Sequence, residues 1–259
     1  MKIIFKTITW ALLGIIISGR LAAQENSYDV LGKALMPIAN VFANDGGNQA
    51  LVLDAHLLEA SKLPPELQGQ TVHVALRAPD ALLVQAPIAG EILTVCRNGD
   101  SLWATPGSKL QYLLDQATTA VPEKKKRKRQ ADAAAKMLGP LELPVPRKDL
   151  VFLPVLFQVE DAGEETLAGR PCRVLDVQLM PQLATSLHAE DWTARVWIGA
   201  DYGIARLALK GPDWSGTVAI DKLTFPAKLP DGTFEPEGND VLTLTAGQFL
   251  ELMARVGRR

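Results

Sequence analysis

A mainly antiparallel β fold carrying a few helices is what this sequence predicts, and three observations carry the prediction. Four consecutive runs, 172–180, 192–198, 203–210 and 215–225, alternate apolar and polar residues. A period of two marks a sheet with one buried and one wet face. Turn residues separate the last three runs, at 200–203 and 211–214, so they read as a meander with no helical crossover. An earlier series of short runs, at 71–77, 81–86, 91–97 and 101–105, repeats the pattern, and Asn98-Gly99 is its hairpin signal.

The chain of 259 residues is 47% apolar and 22% charged, the balance of a folded globular protein. A formal net charge of −2 gives no global field to gather nucleic acid, and 6% aromatic content offers few stacking platforms for bases.

In chain order, residues 1–23 read as an export signal. Lys2 and Lys6 form its basic start, 8–18 its apolar centre, and Leu21-Ala22-Ala23 the small residues before Gln24. A retained membrane anchor is the other reading. The mature chain, 24–259, is expected to be one domain that is periplasmic or secreted. Leu31, Leu35, Ile38 and Phe42 then form one helical stripe within 28–42. Ser27 is the expected cap, and Pro37 is expected to kink or split the helix. This helix either covers one end of a sheet or plugs an open barrel.

From 50 to 60 the period changes to two, although 57–60 would also suit a helix, and 109–114 adds a further expected strand. Between the two meanders lies a basic, Pro-rich excursion at about 115–149. Its like-charged run at 124–129 cannot be buried and is expected to be a solvated loop, the other reading being a patch for an anionic membrane or nucleic acid. Residues 150–157 are strongly apolar and interrupted by Pro154, so they read as a short helix or an edge segment. The acidic stretch 160–165 reads as a turn. Near the end, 226–236 is an extended arm, 241–244 a last strand, and Thr245 the cap of a helix through 256.

Catalytic chemistry is not legible. His56, His73 and His188 lack metal-ligand spacing, and His188, Glu190 and Asp191 read as a polar loop. There is no nucleophile elbow, phosphate loop or dinucleotide fingerprint, so binding is the expected class and no metal or cofactor is expected. Cys96 and Cys172 could close one disulfide or stay two thiols. Strand phase places Val72, Val74, Leu76, Leu82 and Val84 on one inward face. In the second meander it adds Leu175, Val177, Leu179, Val196, Ile198, Leu207 and Leu209, with Ala194, Val218 and Ile220 beside them. These aliphatic side chains suit an acyl-chain groove or an ordinary packed core.

Arg77-Ala78-Pro79, the stretch 98–106 (Asn-Gly-Asp-Ser-Leu-Trp-Ala-Thr-Pro), and 197–209 with Trp197, Asp201 and Gly203 stand in an order that resembles the periplasmic lipoprotein-carrier superfamily. That superfamily is LolA-like, with LolB and RseB among its relatives. The resemblance implies a strongly curved antiparallel half-barrel with helices in or across its mouth. It also implies a lipid or lipoprotein acyl chain as partner, no nucleic acid, transient membrane contact, and a role in outer-membrane lipoprotein sorting. The alternative it carries is an envelope sensor that holds a protein partner. Arg77 is the nearest counterpart of an arginine that latches the lid. The basic excursion and the C-terminal helix depart from the simple carriers.

Overall fold

In the computed structural model, residues 25–43, 49–61, 68–88, 90–118, 139–143 and 146–248 are described. The expected export signal, the basic run 124–129 and all but the first turn of the C-terminal helix lie outside them.

Eleven strands form one antiparallel sheet that does not close, an open half-barrel architecture. They are β1 (Ala50–Ala60), β2 (Thr71–Arg77), β3 (Ala81–Ile88), β4 (Glu91–Asn98), β5 (Ser101–Thr105), β6 (Phe157–Leu167), β7 (Arg170–Leu179), β8 (Thr193–Gly199), β9 (Ile204–Lys210), β10 (Ser215–Thr224) and β11 (Leu242–Thr243). Their order is β11-β5-β4-β3-β2-β1-β10-β9-β8-β7-β6, so β1 pairs with β10 and joins the two meanders into one surface. An open sheet of this width curls because every strand pair adds right-handed twist.

Helix α1 (Ser27–Phe42) lies across one face. Its sixteen residues span about 24 Å, close to the five strand steps of about 4.8 Å from β7 to β2. Val30, Leu31 and Ala34 pack on Leu175, Val177, Val196 and Ile198, and Val41 packs on Leu51 and Leu76. Asn26, not Ser27, caps the helix, accepting from the Tyr28 N–H at 3.1 Å. Pro37 does not split it. The missing proline N–H is offset by packing on both sides, with Ala34 held by β7 and β8 and Val41 by β1 and β2.

Two expected elements change, and a further short helix appears. Residues 109–114 belong to a helix, α2 (Gly107–Thr118), whose Leu110 packs with Leu244 on Val95, Leu102 and Ala104. The acidic stretch 160–165 is the middle of edge strand β6, bulged between Asp161 and Gly163. An edge strand tolerates charge on both faces, and a bulge discourages pairing with another chain. A short helix, α3 (Pro181–Leu187), sits between β7 and β8. The apolar stretch before β6 is a 3-10 helix, Arg147–Leu156, packed along α1 through Leu150, Leu153 and Pro154.

The opposite face is covered in part by the arm that follows β10. Phe234 sits among Ala50, Ala81, Leu83, Cys96 and Trp103, and its carbonyl accepts from the Trp103 indole N–H at 3.2 Å. We call the two sides the helix face and the arm face.

Cys96 and Cys172 do not form a disulfide. Both are free and buried on the arm face, with β3, β2, β1, β10, β9 and β8 between their strands. A disulfide needs Cα atoms within about 7 Å. Burial pushes the Cys96 thiol up to about 12 and raises that of Cys172 as well. The native protein should therefore resist thiol-specific reagents, and guanidinium should release two reactive thiols. Release of none would contradict this arrangement.

Candidate functional site

The helix face is apolar across most of the sheet. Leu175, Val196, Leu207, Val218 and Leu57 stand opposite one another on β7, β8, β9, β10 and β1. A second row runs Leu223, Leu53, Val74, Val84, Val95 and Ala104 from β10 to β5. Among the described residues, two helices cover parts of this surface. The first, α1, seals Leu175, Val177, Val196 and Ile198 to between 0 and 6% exposure and also touches Leu207, Leu76 and Leu82. The second, α2 with Leu244, covers the β4–β5 end.

Between the covers the candidate residues are less enclosed. Val72, Val74 and Val84 are half-buried on β2 and β3, as are Leu57, Val218 and Ile220 on β1 and β10. Leu179 is half-buried and Leu209 is 37% exposed where β7 and β9 end. The inward phase read from the sequence thus holds these side chains on one surface and divides them between a sealed part and an open part. Leu53, Leu57 and Leu223 were missed. Leu57 lies in 57–60, the part of the first strand-like stretch that would also suit a helix.

Arg77 does not latch α1. It faces the arm, its guanidinium 5.1 Å from the centre of the Phe234 ring. The residue that meets the helix is Arg173 on β7. Its Nε donates to Asp161 at 3.0 Å, its Nη2 to the Ser27 hydroxyl at 3.1 Å, and its Nη1 to the Glu25 carbonyl. Glu25 also accepts from the Tyr202 hydroxyl at 3.0 Å and pairs with Lys33, whose ammonium lies 4.6 Å over the Tyr202 ring. Tyr202 holds this position at φ 62°, a left-handed conformation costly for a tyrosine. So the N-terminus of α1 is tied to β6, β7 and the β8–β9 turn. One signal in the sequence marks Arg173: it is a charge in the apolar phase of Leu175 and Val177.

The hydrogen bond from Lys33 lowers the Glu25 pKa below its ordinary value. For Asp161, burial opposes ionisation, but the Gly163 N–H and the Arg173 guanidinium outweigh it, and the pKa is also lowered. A depressed carboxylate stabilises the folded form above its unfolded pKa, and that stability is lost as pH falls through the folded pKa. The tie should hold at neutral pH and loosen as pH falls below the ordinary carboxylate range, through the lowered pKa values of Glu25 and Asp161. Hydrogen-exchange protection of the α1 amides should fall over that range, and less so in Asp161→Asn. Equal protection at neutral and acid pH would contradict the role given to these carboxylates.

The arm face carries two clefts. One of about 610 Å³ lies between Arg77, Asn98 and the arm. The other, about 490 Å³, holds the Asp176–Arg195 pair at 2.7 Å. Two histidines each meet a carboxylate there, His56 with Asp221 at 2.8 Å and His73 with Asp54 at 2.5 Å. Among the described residues no three His, Cys, Asp or Glu side chains converge to hold a metal ion, and no helix is long and apolar enough to cross a membrane.

No protein-family model matches the chain, and no curated protein matches it by sequence. Solved structures similar to it include the lipoprotein LppX of Mycobacterium tuberculosis, at 11% identity and a TM-score of 0.40, over 83% of this chain and 99% of that one. The complex of MucB with MucA from Pseudomonas aeruginosa shows 12% identity and a TM-score of 0.40, over 84% of this chain and 63% of that one. A LolA superfamily protein of Nitrosomonas europaea shows 10% identity and a TM-score of 0.29, over 82% and 98%. All three TM-scores lie under 0.5, and the functional reading rests on this chain's own geometry.

Proposed function

We propose that this chain is an envelope binding protein that holds a long acyl chain of a lipid or lipoprotein on the helix face of its sheet. The observation that carries this is the apolar stretch across β10, β1, β2 and β3 that α1 and α2 leave half-buried. A packed core would enclose such a row. A purely solvated face would not present valine opposite valine, as Val74 and Val84 stand.

Magnitudes select the ligand. Each buried methylene is worth about 0.8 kcal/mol, and each re-exposed Leu or Val costs roughly 1.5–3 kcal/mol. A chain laid along the half-buried stretch must bury enough methylenes to outweigh the cost of association and of any side chain it displaces, which favours long acyl chains over short ones. Fluorescent fatty acids should therefore bind with affinity rising steeply with chain length, and short acids should fail. Binding that ignores chain length, or no binding by the longest acids, would overturn the reading. Export with cleavage after Ala23 belongs to the same reading, and N-terminal sequencing of the exported form should begin at Gln24.

A further inference from the structure

The 3-10 helix before β6 is apolar on both sides. Leu150 and Pro154 are buried against α1. Pro154 lies so close that a side chain at Gly32 would stand 3.0 Å from it. On the outer side Val151, Phe152, Val155 and Leu156 are 59, 64, 65 and 43% exposed. Four large apolar side chains in six positions, on a seated segment, are not scattered surface residues.

Further exposed apolar residues lie at the ends of the adjoining strands. The Leu156 carbonyl accepts from the Met180 N–H at 2.9 Å, where β7 ends. Leu187 closes α3 just beyond and is 59% exposed. Trp192, just before β8, is 47% exposed and meets the Trp214 ring edge-on at 5.3 Å. Leu179 and Leu209, the two members of the candidate groove nearest this end, lie on β7 and β9 where those strands finish.

We infer that this ridge, from Val151 through Leu156 to Leu187 and Trp192, docks the protein on a lipid bilayer. The inference rests on the proposed acyl-binding reading, since it places the bilayer at the end of the sheet where the groove opens. Area decides against a second copy of the chain. The six side chains expose on the order of 500 Å², below the roughly 800 Å² per partner of a stable protein interface. It is ample for shallow insertion into the headgroup region, where Trp and Phe are favoured. Lys148 and Lys210 flank the ridge, but Asp149, Glu190 and Asp191 do too. Insertion therefore depends on apolar area, and salt should weaken it little.

The test is flotation of the exported protein with mixed phosphatidylethanolamine and phosphatidylglycerol vesicles, at low and high salt. Wild type should float at both. Phe152→Glu and Val155→Glu, each at an exposed side chain, should stay folded by circular dichroism and partition roughly tenfold less or weaker still. Brominated lipid should quench wild-type tryptophan fluorescence more than that of Trp192→Phe. If one charged variant misfolds, the other and the quenching experiment give the same reading. Fluorescent fatty acid binding without vesicles, unchanged in both charged variants, separates docking from acyl binding. Absence of vesicle binding, or equal binding by wild type and both variants, overturns the inference. So does a wild-type dimer that dissociates in Phe152→Glu, since the ridge would then join two copies.

Discussion

Val196→Asp is expected to destabilise the protein severely, whereas Val74→Asp should leave it folded and remove acyl binding. Both side chains belong to the same apolar surface. Val196 is 5% exposed under α1, with Leu175 and Leu207 opposite it. No cation on the described part of α1 faces that position from above, since Lys33 is engaged with Glu25 and Tyr202. A carboxylate there loses its hydration and gains no partner, at a cost of several kcal/mol. Total stability is about 5–15 kcal/mol for a domain. Thermal melts should show a large loss, or α1 should lift and become accessible to protease. Val74 lies in the half-buried stretch between the covers. Water reaches it, so an aspartate there stays solvated and instead places a charge where the acyl chain would lie. A Val196→Asp protein as stable as wild type would mean that α1 does not seal this surface.

Arg173→Ala should raise acyl-chain affinity while lowering the stability of the unliganded protein. The change removes the ion pair to Asp161 and the bonds to Ser27 and Glu25. Each such bond contributes about 0.5–1.5 kcal/mol net, less where water competes. The Arg173 and Asp161 side chains are only 17 and 29% exposed, so part of that energy survives screening. If opening of α1 limits binding, weakening its tie by about 1.4 kcal/mol raises apparent affinity about tenfold. Calorimetry and fatty-acid titration read the two effects separately. Lower stability with unchanged affinity would show that the acyl chain does not need α1 to move.

The strands were legible because a half-buried sheet writes its burial into every second residue. The runs at 71–77 and 204–210 needed nothing further, and Asn98-Gly99 marked the turn between β4 and β5. Where both faces of a strand are exposed the signal disappears. Edge strand β6 has Glu160, Glu164 and Glu165 on it and reads as a turn, although its register with β7 runs nearly its whole length. The short helix α3 opens on Pro181, and a proline suits the first turn of a helix and a loop alike, so the residue does not separate the two. The tie on α1 was out of reach for a different reason. Glu25, Asp161, Arg173 and Tyr202 meet only after β6, β7 and β8 have paired. Likewise the division of the apolar face into a sealed and an open part depends on where α1 lies, which its own stripe of Leu31, Leu35 and Ile38 does not specify.

Covalent capture tests the central claim most directly. A long-chain fatty acid with a photoreactive group near its methyl end would be bound, irradiated, and its adducts located by peptide mass spectrometry. The account predicts labels on β10, β1, β2 and β3, at Val218, Leu57, Val74 or Val84, and competition by unlabelled long acids. Labels confined to the arm face, around Arg77 and Phe234 or around Asp176 and Arg195, would contradict it.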